Sequence, residues 1–346
     1  MQRALLITGG AGFIGSNAAH HFSGKGWNVT VLDNLSRKGG RLNLDWLQSQ
    51  ARVQFIEGDV RDWGRLEGVF SGHEYEAVLH LAGQVAVTTS VAAPREDFES
   101  NAMGTFNVLE ATRLYCPEAV FVYASTNKVY GKMEKATVVE RNGRYEYEDL
   151  EDGASESTPL DFHSPYGCSK GAGDQYVIDY SRIYGLRSTA FRQSCIYGPR
   201  QFGVEDQGWV AWFAIAAILG RRLTVYGDGK QIRDVLHVDD LIRAYEAAIE
   251  HPDVVGGQAF NIGGGKENTL SLLELLEILR GEVRFDVPIH FDDWRPGDQR
   301  VFVSDITKAK HLLAWEPQIG AKSGISSLFR WIRANQACLE ALFPRQ

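Results

Sequence analysis

Two polar side chains in this sequence have the types and the spacing of a site that activates a hydroxyl group. Tyr166 and Lys170 are four residues apart at the start of a segment, 166–184, that reads as a helix, so they share one helix face. A phenol with the usual pKa of about 10 is a weak base at neutral pH. A neighbouring ammonium stabilises the phenolate, so we expect Lys170 to lower the pKa of Tyr166.

A third candidate, Thr126, lies in the octapeptide ASTNKVYG, residues 124–131. This polar stretch directly follows the apolar run 119–123, which predicts a buried strand. Loops at the carboxyl ends of parallel strands are where open α/β sheets bind ligands. We therefore expect Thr126 to reach the same substrate oxygen as Tyr166. Ser, Thr and Asn are also ordinary loop residues, so the octapeptide alone leaves a purely structural role open.

A glycine-rich turn follows the first predicted strand and precedes a helix. Gly9, Gly12 and Gly15 have the spacing GxxGxxG. In this context the first glycine permits a tight turn, the second lets a phosphate approach the backbone, and the third lets the helix pack on the strand. Backbone N–H groups at the helix start, around Phe13 and Ile14, are then placed to hold a diphosphate.

Asp33 ends the second predicted strand, at the position where a dinucleotide ribose binds. A carboxylate there accepts hydrogen bonds from both ribose hydroxyls and repels a 2′-phosphate, which favours NAD over NADP. Arg37 and Lys38 nearby leave NADP open. Further candidate cofactor contacts follow the ends of the neighbouring strands: Asn34, Asp59, Val60, Leu81, Ala82 and Gly83. Tyr166 and Lys170 are expected to contact the cofactor as well: Lys170 binds the nicotinamide ribose, and the nicotinamide cation helps the ammonium to stabilise the phenolate.

Short apolar runs alternate with amphipathic segments such as 14–24 and 101–114 through the first half of the chain. This rhythm predicts an α/β fold with a doubly wound parallel sheet, followed by a smaller C-terminal α+β domain. We expect a nucleotide-binding Rossmann domain at 1–190, with segments near 235–262 packing back onto it. Residues 191–234 and 263–346 are expected to form the substrate domain.

One segment interrupts this pattern. Residues 132–160 are polar and acidic and show neither a helical nor a strand period. We interpret them as a solvated surface insertion, and a lid or a partner surface is the alternative.

Composition limits the partners. A formal net charge of −8 argues against nucleic acid or an anionic membrane as the main partner, and no apolar run approaches the length of a membrane span. Four scattered cysteines suggest neither a zinc site nor a disulfide framework. No metal is predicted, and a cytoplasmic location is expected.

Taken together, these motifs resemble the extended short-chain dehydrogenases/reductases, whose members act on nucleotide-activated sugars. The resemblance rests on the turn 8–15, Asp33, Thr126 and the Tyr166/Lys170 pair, and on segments 227–240 and 260–263, so it covers nearly the whole chain. Within the superfamily, segments 124–131, 160–166 and 200–210 most resemble the CDP-paratose 2-epimerases, also called CDP-tyvelose epimerases.

The resemblance implies a reaction. Tyr166 takes a proton from a sugar hydroxyl while a hydride passes to tightly bound NAD, and the resulting keto-sugar turns over and receives the hydride on its other face. In this family the inverted carbon is carbon 2. The sugar-nucleotide 4,6-dehydratases of the superfamily carry an Asp-Glu pair directly after the catalytic hydroxyl. Asn127 and Lys128 stand there instead, which argues against elimination of water.

The resemblance also implies substrate contacts. Arginines suit a diphosphate because a guanidinium binds its oxygens through two hydrogen bonds. The expected loop arginines are Arg192, Arg233 and Arg295. The other expected substrate-binding residues are Asn127, His163, Gln201, Gln207 and Asp298.

The same residues are compatible with other functions. A nucleotide-sugar 4-epimerase acting on a UDP- or GDP-sugar, or a net dehydrogenase that accumulates reduced cofactor, would use the same three residues. A protein that binds NAD without catalysis is a third class. The sequence does not reveal the nucleobase, and a homodimer is expected by analogy alone.

Overall fold

The computed structural model describes residues 3–282, 287–295 and 298–344. The strands are β1 (Ala4–Thr8), β2 (Asn28–Asp33), β3 (Val53–Glu57), β4 (Ala77–His80), β5 (Val120–Thr126), β6 (Val138–Arg141), β7 (Arg144–Tyr147), β8 (Arg187–Gln193), β9 (Cys195–Tyr197), β10 (Leu223–Tyr226), β11 (Ile232–His237), β12 (Gln258–Ile262), β13 (Thr269–Ser271), β14 (Ile289–Asp292) and β15 (Val301–Phe302).

The helices are α1 (Phe13–Gly24), α2 (Gly40–Gln50), α3 (Trp63–Phe70), α4 (Val87–Ala92), α5 (Pro94–Phe98), α6 (Gly104–Tyr115), α7 (Ser164–Tyr184), α8 (Trp209–Ile218), α9 (Val238–Glu250), α10 (Pro252–Val255), α11 (Leu272–Glu282), α12 (Thr307–Leu313), α13 (Ala321–Ala334) and α14 (Gln336–Leu342). A π-helical turn, Glu99–Met103, joins α5 to α6, and 3₁₀ turns cover Asn127–Tyr130 and Lys266–Asn268. Over the described ranges, none of these helices has the length and apolar character needed to cross a membrane.

Seven parallel strands form the main sheet, in the order β12-β8-β5-β4-β1-β2-β3. The chain starts at β1, runs outward through β2 and β3, and returns to the other side of β1 as β4 and β5. Strand order therefore reverses between β1 and β4, and ligands bind at such a switch point in doubly wound sheets. The predicted α/β fold with a doubly wound parallel sheet is confirmed.

Helices cover both faces of this sheet. On one face, α1 and α9 contribute Phe22 and Tyr245 to a buried apolar core. On the other face, Leu66 of α3, Val108 of α6 and Val177 of α7 form a second core. Burial on both faces explains why the central strands are continuous apolar runs rather than alternating ones.

A third core lies outside the large sheet. It includes residues of α8, α11 and α13, such as Phe213, Leu276 and Phe329, together with the small strand β10. The helical C-terminal end of the chain is divided at Asn335 into α13 and α14. We propose that this core belongs to the substrate domain, with the boundaries predicted from the sequence.

The acidic segment 132–160 is partly folded, so the expectation that it has no strand is wrong. Strands β6 and β7 pair as an antiparallel hairpin, and its turn places Asn142 and Gly143 at φ 52° and 77°. The hairpin packs on the rest of the protein through Tyr145, whose hydroxyl donates to Asp228 at 2.7 Å, and Tyr147, whose hydroxyl donates to the carbonyl of Val301 at 2.8 Å. An Asn-Gly dipeptide is a strong hairpin signal, and it was present in the sequence.

Candidate active site

The site is built at the carboxyl edge of the parallel sheet. Strands β1, β4 and β5 are neighbours and end at Thr8, His80 and Thr126. The Thr8 hydroxyl contacts Nδ1 of His80 at 2.7 Å. All three strands therefore open onto the same edge, and their loops carry the predicted groups.

The glycine-rich turn has the geometry that a bound diphosphate needs. Gly9 has φ +69°, and a Cβ there would lie 2.7 Å from the backbone nitrogen of Ala82. A Cβ at Gly15 would clash with the carbonyl oxygen of Gly9. Helix α1 starts after Gly12 with no acidic residue in its first turn, so Phe13 and Ile14 present backbone N–H groups without a competing carboxylate. These residues fit a dinucleotide diphosphate.

Asp33 is held at the end of β2 by backbone donors. Its carboxylate accepts N–H groups from Ala11 at 3.0 Å and Leu35 at 2.8 Å. Burial raises its pKa, and these hydrogen bonds oppose that shift. A carboxylate fixed next to the glycine turn fits the diol of a ribose.

The other predicted cofactor residues follow the ends of β2, β3 and β4. Asn34 donates to Asp59 at 2.8 Å, and Arg61 binds the same carboxylate at 2.7 and 2.9 Å. The hydrogen bond from Arg61 is the main reason that the pKa of Asp59 falls to about 2. Val60 is buried beside it.

Leu81, Ala82 and Gly83 follow β4 directly. The backbone N–H of Ala82 donates to Thr8 at 3.3 Å, which ties this loop to β1. A Cβ at Gly83 would lie 3.9 Å from Nζ of Lys170. The cofactor loop and the predicted catalytic helix therefore meet at this point.

Thr126 and Tyr166 lie together although 40 residues separate them in sequence. Thr126 is the last residue of β5, and Tyr166 lies in the first turn of α7, where Ser164 accepts the N–H of Gly167 at 3.2 Å. Both side chains are buried, and the Thr126 side chain is close enough to the phenol to act on its pKa. This pair can hold one substrate oxygen between a phenol and a hydroxyl.

Burial has the larger effect on Tyr166 and raises its pKa to about 12, while the Thr126 side chain opposes this rise. In the protein alone, burial therefore has the largest effect on the pKa of Tyr166, and the expected stabilisation of the phenolate by Lys170 and a nicotinamide cation stays a prediction. The Lys170 ammonium is also buried, which lowers its pKa to about 7, and Asp97 and Asp174 oppose this shift. Its Nζ lies 4.2 Å from the centre of the Tyr123 ring.

Sequence reasoning missed the group that anchors the catalytic helix. The carboxylate of Asp97, on α5, accepts hydrogen bonds from Ser169 at 2.6 Å and from Asn101 at 3.1 Å. Ser169 directly precedes Lys170, so this contact fixes the helix turn that carries the ammonium. No local pattern signals it, because 72 residues separate Asp97 from Ser169.

Asn127 and His163 lie next to the catalytic pair. Asn127 is buried in the 3₁₀ turn after β5, with its Oδ1 3.4 Å from the Thr126 hydroxyl. His163 is partly exposed just before α7, and its Nε2 lies 2.8 Å from Asp161. Both stay candidate sugar contacts.

Arg192 is not in a loop, so that prediction is wrong. It lies in β8 and is buried, where its Nε and Nη2 donate to Asp174 at 3.0 and 2.9 Å. Its Nη1 donates to the Tyr130 hydroxyl at 3.1 Å. These contacts commit the guanidinium to an internal carboxylate rather than to a substrate phosphate.

The remaining predicted residues belong to the C-terminal half. Arg233 donates to Asp298 at 2.6 Å, and Arg295 pairs with Asp206 at 3.0 Å while its guanidinium lies 4.0 Å over the Tyr226 ring. Both arginine side chains are only partly exposed, and both stay candidate substrate contacts.

Gln201 and Gln207 are in the loop before α8. Gln201 is buried, and its Nε2 donates to the carbonyl of Ile196 at 3.2 Å. Within the part of the chain that the structure describes, its Oε1 has no hydrogen-bond partner, so it can accept from a ligand. Gln207 pairs through its backbone with Val204 and closes a tight turn.

Comparison with known proteins gives matches over nearly the full length. The model of the GDP-mannose 4,6-dehydratase family matches residues 6–328. A CDP-paratose 2-epimerase from Salmonella typhi is 46% identical over 332 residues, which cover 94% of this chain and 98% of that protein.

Solved structures match equally widely. A UDP-glucose 4-epimerase from Thermotoga maritima, solved with UDP-glucose, is 31% identical with a TM-score of 0.82, covering 96% of this chain and 99% of that one. A dTDP-glucose 4,6-dehydratase from Streptomyces venezuelae, solved with NAD, is 30% identical with a TM-score of 0.84, covering 98% and 99%. Because these proteins catalyse different reactions on one fold, the fold alone does not decide which reaction this chain catalyses.

Proposed function

We propose that this chain, which belongs to the GDP-mannose 4,6-dehydratase family of the extended short-chain dehydrogenases/reductases, is an NAD-dependent epimerase that inverts carbon 2 of a nucleotide-activated sugar. The observation that carries the proposal is the 46% identity, over 94% of the chain, to a CDP-paratose 2-epimerase. The substrate is accordingly a CDP-sugar of the paratose or tyvelose type. Oxidation to a keto-sugar and reduction from the opposite face invert the carbon.

The catalytic groups are Thr126, Tyr166 and Lys170. Thr126 orients the sugar hydroxyl and later the carbonyl, Tyr166 takes the hydroxyl proton and returns it, and Lys170 supplies positive charge beside them. When bound, NAD accepts a hydride and gives it back, and its oxidised form adds a positive charge that favours the phenolate. The residues that would hold it are those of the glycine turn and Asp33, together with the loops after β3 and β4.

Dehydration is disfavoured by the two residues that follow Thr126. Elimination of water needs an acid and a base at the sugar, and Asn127 is an amide that supplies neither. Lys128 carries an amine in place of a carboxylate, so it does not replace the Asp-Glu pair of the dehydratases. Oxidation and reduction without elimination therefore match the groups at this site better than a 4,6-dehydration.

A nucleotide-sugar 4-epimerase is the second candidate, because the Thermotoga maritima 4-epimerase shares the fold at 31% identity. Incubation with CDP-, UDP- and GDP-hexoses, followed by NMR of the products, separates the two functions. We expect a CDP-hexose inverted at carbon 2, with no net accumulation of reduced cofactor. Inversion at carbon 4 of a UDP- or GDP-sugar would replace the proposal with the second candidate.

We also propose a homodimer that buries the exposed apolar side of α6 and α7. Along this side Phe106, Tyr176, Tyr180 and Tyr184 form a ladder of ring contacts, with centroids 4.9 to 6.4 Å apart between neighbours. Large apolar side chains around the ladder are exposed: Phe98, Met103, Leu114 and Ile183. Exposed apolar patches of this kind indicate a protein interface.

Light scattering coupled to gel filtration tests the dimer. We expect twice the chain mass for the wild type and a shift to monomer for Ile183→Glu, because a carboxylate on an apolar interface loses its hydration. Leu312→Glu is the matched control, since Leu312 is similarly exposed on α12, outside this patch. A monomeric wild type, or equal behaviour of the two variants, would contradict the proposed interface.

A further inference from the structure

Lys128 is tied by its backbone to the catalytic hydroxyl. It lies two residues after Thr126 in the 3₁₀ turn, and its N–H donates to Thr126 Oγ1 at 3.2 Å. Its side chain extends from this turn to the C-terminal half of the chain, where Nζ lies 3.5 Å from Oε1 of Gln299. An ammonium has three donors, and in the described ranges this long contact is the one hydrogen bond that Nζ makes.

Gln299 is fixed in front of the ammonium by both halves of the protein. Its Nε2 donates to the carbonyl of Gly131, at the end of the catalytic octapeptide, and its backbone N–H donates to Asp298 at 3.0 Å. The same Asp298 oxygen accepts from Arg233 at 2.6 Å. Lys128 therefore lies between the catalytic pair and the Arg233–Asp298 pair.

Two cations meet one carboxylate at this place. The pKa of Lys128 is lowered first by burial and then by the positive charge of Arg233, with Asp298 opposing. A mostly buried cluster with excess positive charge and unused donors is suited to an anion. A substrate diphosphate would supply the negative charge that this cluster lacks.

The chemistry of the substrate sets where its phosphates lie. In a nucleotide sugar, the β-phosphate is attached through oxygen to carbon 1, and carbon 2 is the next ring atom. When carbon 2 is placed at Thr126 and Tyr166, the β-phosphate is drawn close to them, whereas carbon 4 lies on the opposite side of the ring. A reaction at carbon 2 therefore needs a cation close to Thr126.

We infer that the Lys128 ammonium binds the β-phosphate of the nucleotide sugar and thereby holds carbon 2, rather than carbon 4, at Thr126 and Tyr166. This inference rests on the proposed function and adds a specificity-determining residue to it. Arg233 remains the candidate ligand for the rest of the diphosphate.

The test compares a nucleoside diphosphate with the matching monophosphate, because the monophosphate lacks the β-phosphate. Isothermal titration calorimetry on the NAD-loaded protein gives both affinities, using whichever of the CDP, UDP and GDP pairs the wild type binds. We expect Lys128→Met to weaken the diphosphate about 10- to 100-fold, as for loss of a hydrogen bond to a charged group, and to leave the monophosphate unchanged. Lys128→Arg should restore most of the affinity.

Lys132→Met is the control, since Lys132 is an exposed lysine of the same segment. Lys128→Gln, with NAD content and circular dichroism measured, replaces the Met variant if that variant does not fold. Equal loss of both nucleotides, or no loss of either, would overturn the role of Lys128. A wild type that epimerises no nucleotide sugar at carbon 2 would instead overturn the proposed function, so the two failures are distinguishable.

The effect of Lys128 on the reaction is measured from the kinetics of carbon-2 inversion by the same variant. We expect Lys128→Met to lose kcat/KM for inversion at carbon 2 by about the factor lost in diphosphate affinity, mostly through KM, because the phosphate contact is made in the ground state as well. Full kcat/KM for the Met variant would contradict the assignment.

Discussion

Tyr166→Phe is expected to lower kcat for epimerisation by about 10²- to 10⁴-fold, which is the usual contribution of a positioned general acid–base group. The substitution removes one oxygen from a buried ring and leaves the packing of α7 in place. The phenol is the group that lies beside Thr126, and burial keeps its pKa near 12. Without it, the sugar hydroxyl has no positioned acceptor for its proton.

Tyr166→Phe is expected to keep its cofactor, so a loss of turnover would report on the phenol and not on NAD binding. Because the substitution changes neither the glycine turn nor Asp33, NAD content and the thermal unfolding midpoint should stay close to those of the wild type. Tyr176→Phe is the matched control, since Tyr176 is on the same helix and exposed in the single chain. The substitution keeps the ring that the proposed dimer interface uses, so turnover should be unchanged. Turnover of Tyr166→Phe within a few-fold of the wild type would show that the proton leaves by another route.

The features predictable from the sequence are those fixed by local chain geometry. The glycine turn could be predicted because Gly9 needs a positive φ and Gly15 has no room for a Cβ. Thr126 could be predicted because a polar residue after an apolar strand must lie at the sheet edge. Tyr166 and Lys170 could be predicted because helical periodicity places them on one face.

The features not predicted depend on contacts between distant segments. Asp174 of α7 pairs with Arg192 of β8. Because of this contact Arg192 is a buried strand residue, although a loop position was expected. Lys128 meets Gln299 across 171 residues. The rise that burial causes in the Tyr166 pKa was not predicted for the same reason, because burial depends on the whole fold.

The hairpin β6–β7 is a different kind of error. Its Asn-Gly turn is a local signal, but the acidic residues around it suggested solvent exposure. Several of these charges have partners in the folded protein: Glu140 pairs with Lys230 at 2.6 Å, and Arg144 pairs with Glu274 at 3.0 Å. Charge pattern alone did not distinguish a solvated segment from one that binds its own protein through ion pairs.

Deuterium at carbon 2 of the substrate is expected to be retained at carbon 2 of the product, with essentially no exchange into water. The reason is that Tyr166 handles the hydroxyl proton alone, while the carbon-bound hydrogen is removed and returned as a hydride inside the buried site. The rate should fall with the carbon-2 label and be unaffected by a carbon-4 label. Mass spectrometry of the product and competition between labelled and unlabelled substrate measure these two effects.

Two other labelling results would each contradict hydride transfer at carbon 2. A slower reaction with the carbon-4 label would indicate a 4-epimerase acting through the same Thr126 and Tyr166. Loss of the carbon-2 label into water would mean that the hydrogen leaves as a proton, which requires a base at the carbon itself. Lys128 lies two residues after Thr126 and is a candidate for that base, and Lys128→Met would then abolish the exchange. If the wild type and Lys128→Met both retain the label, Lys128 does not act as a base, and this result agrees with its proposed role in positioning the phosphate.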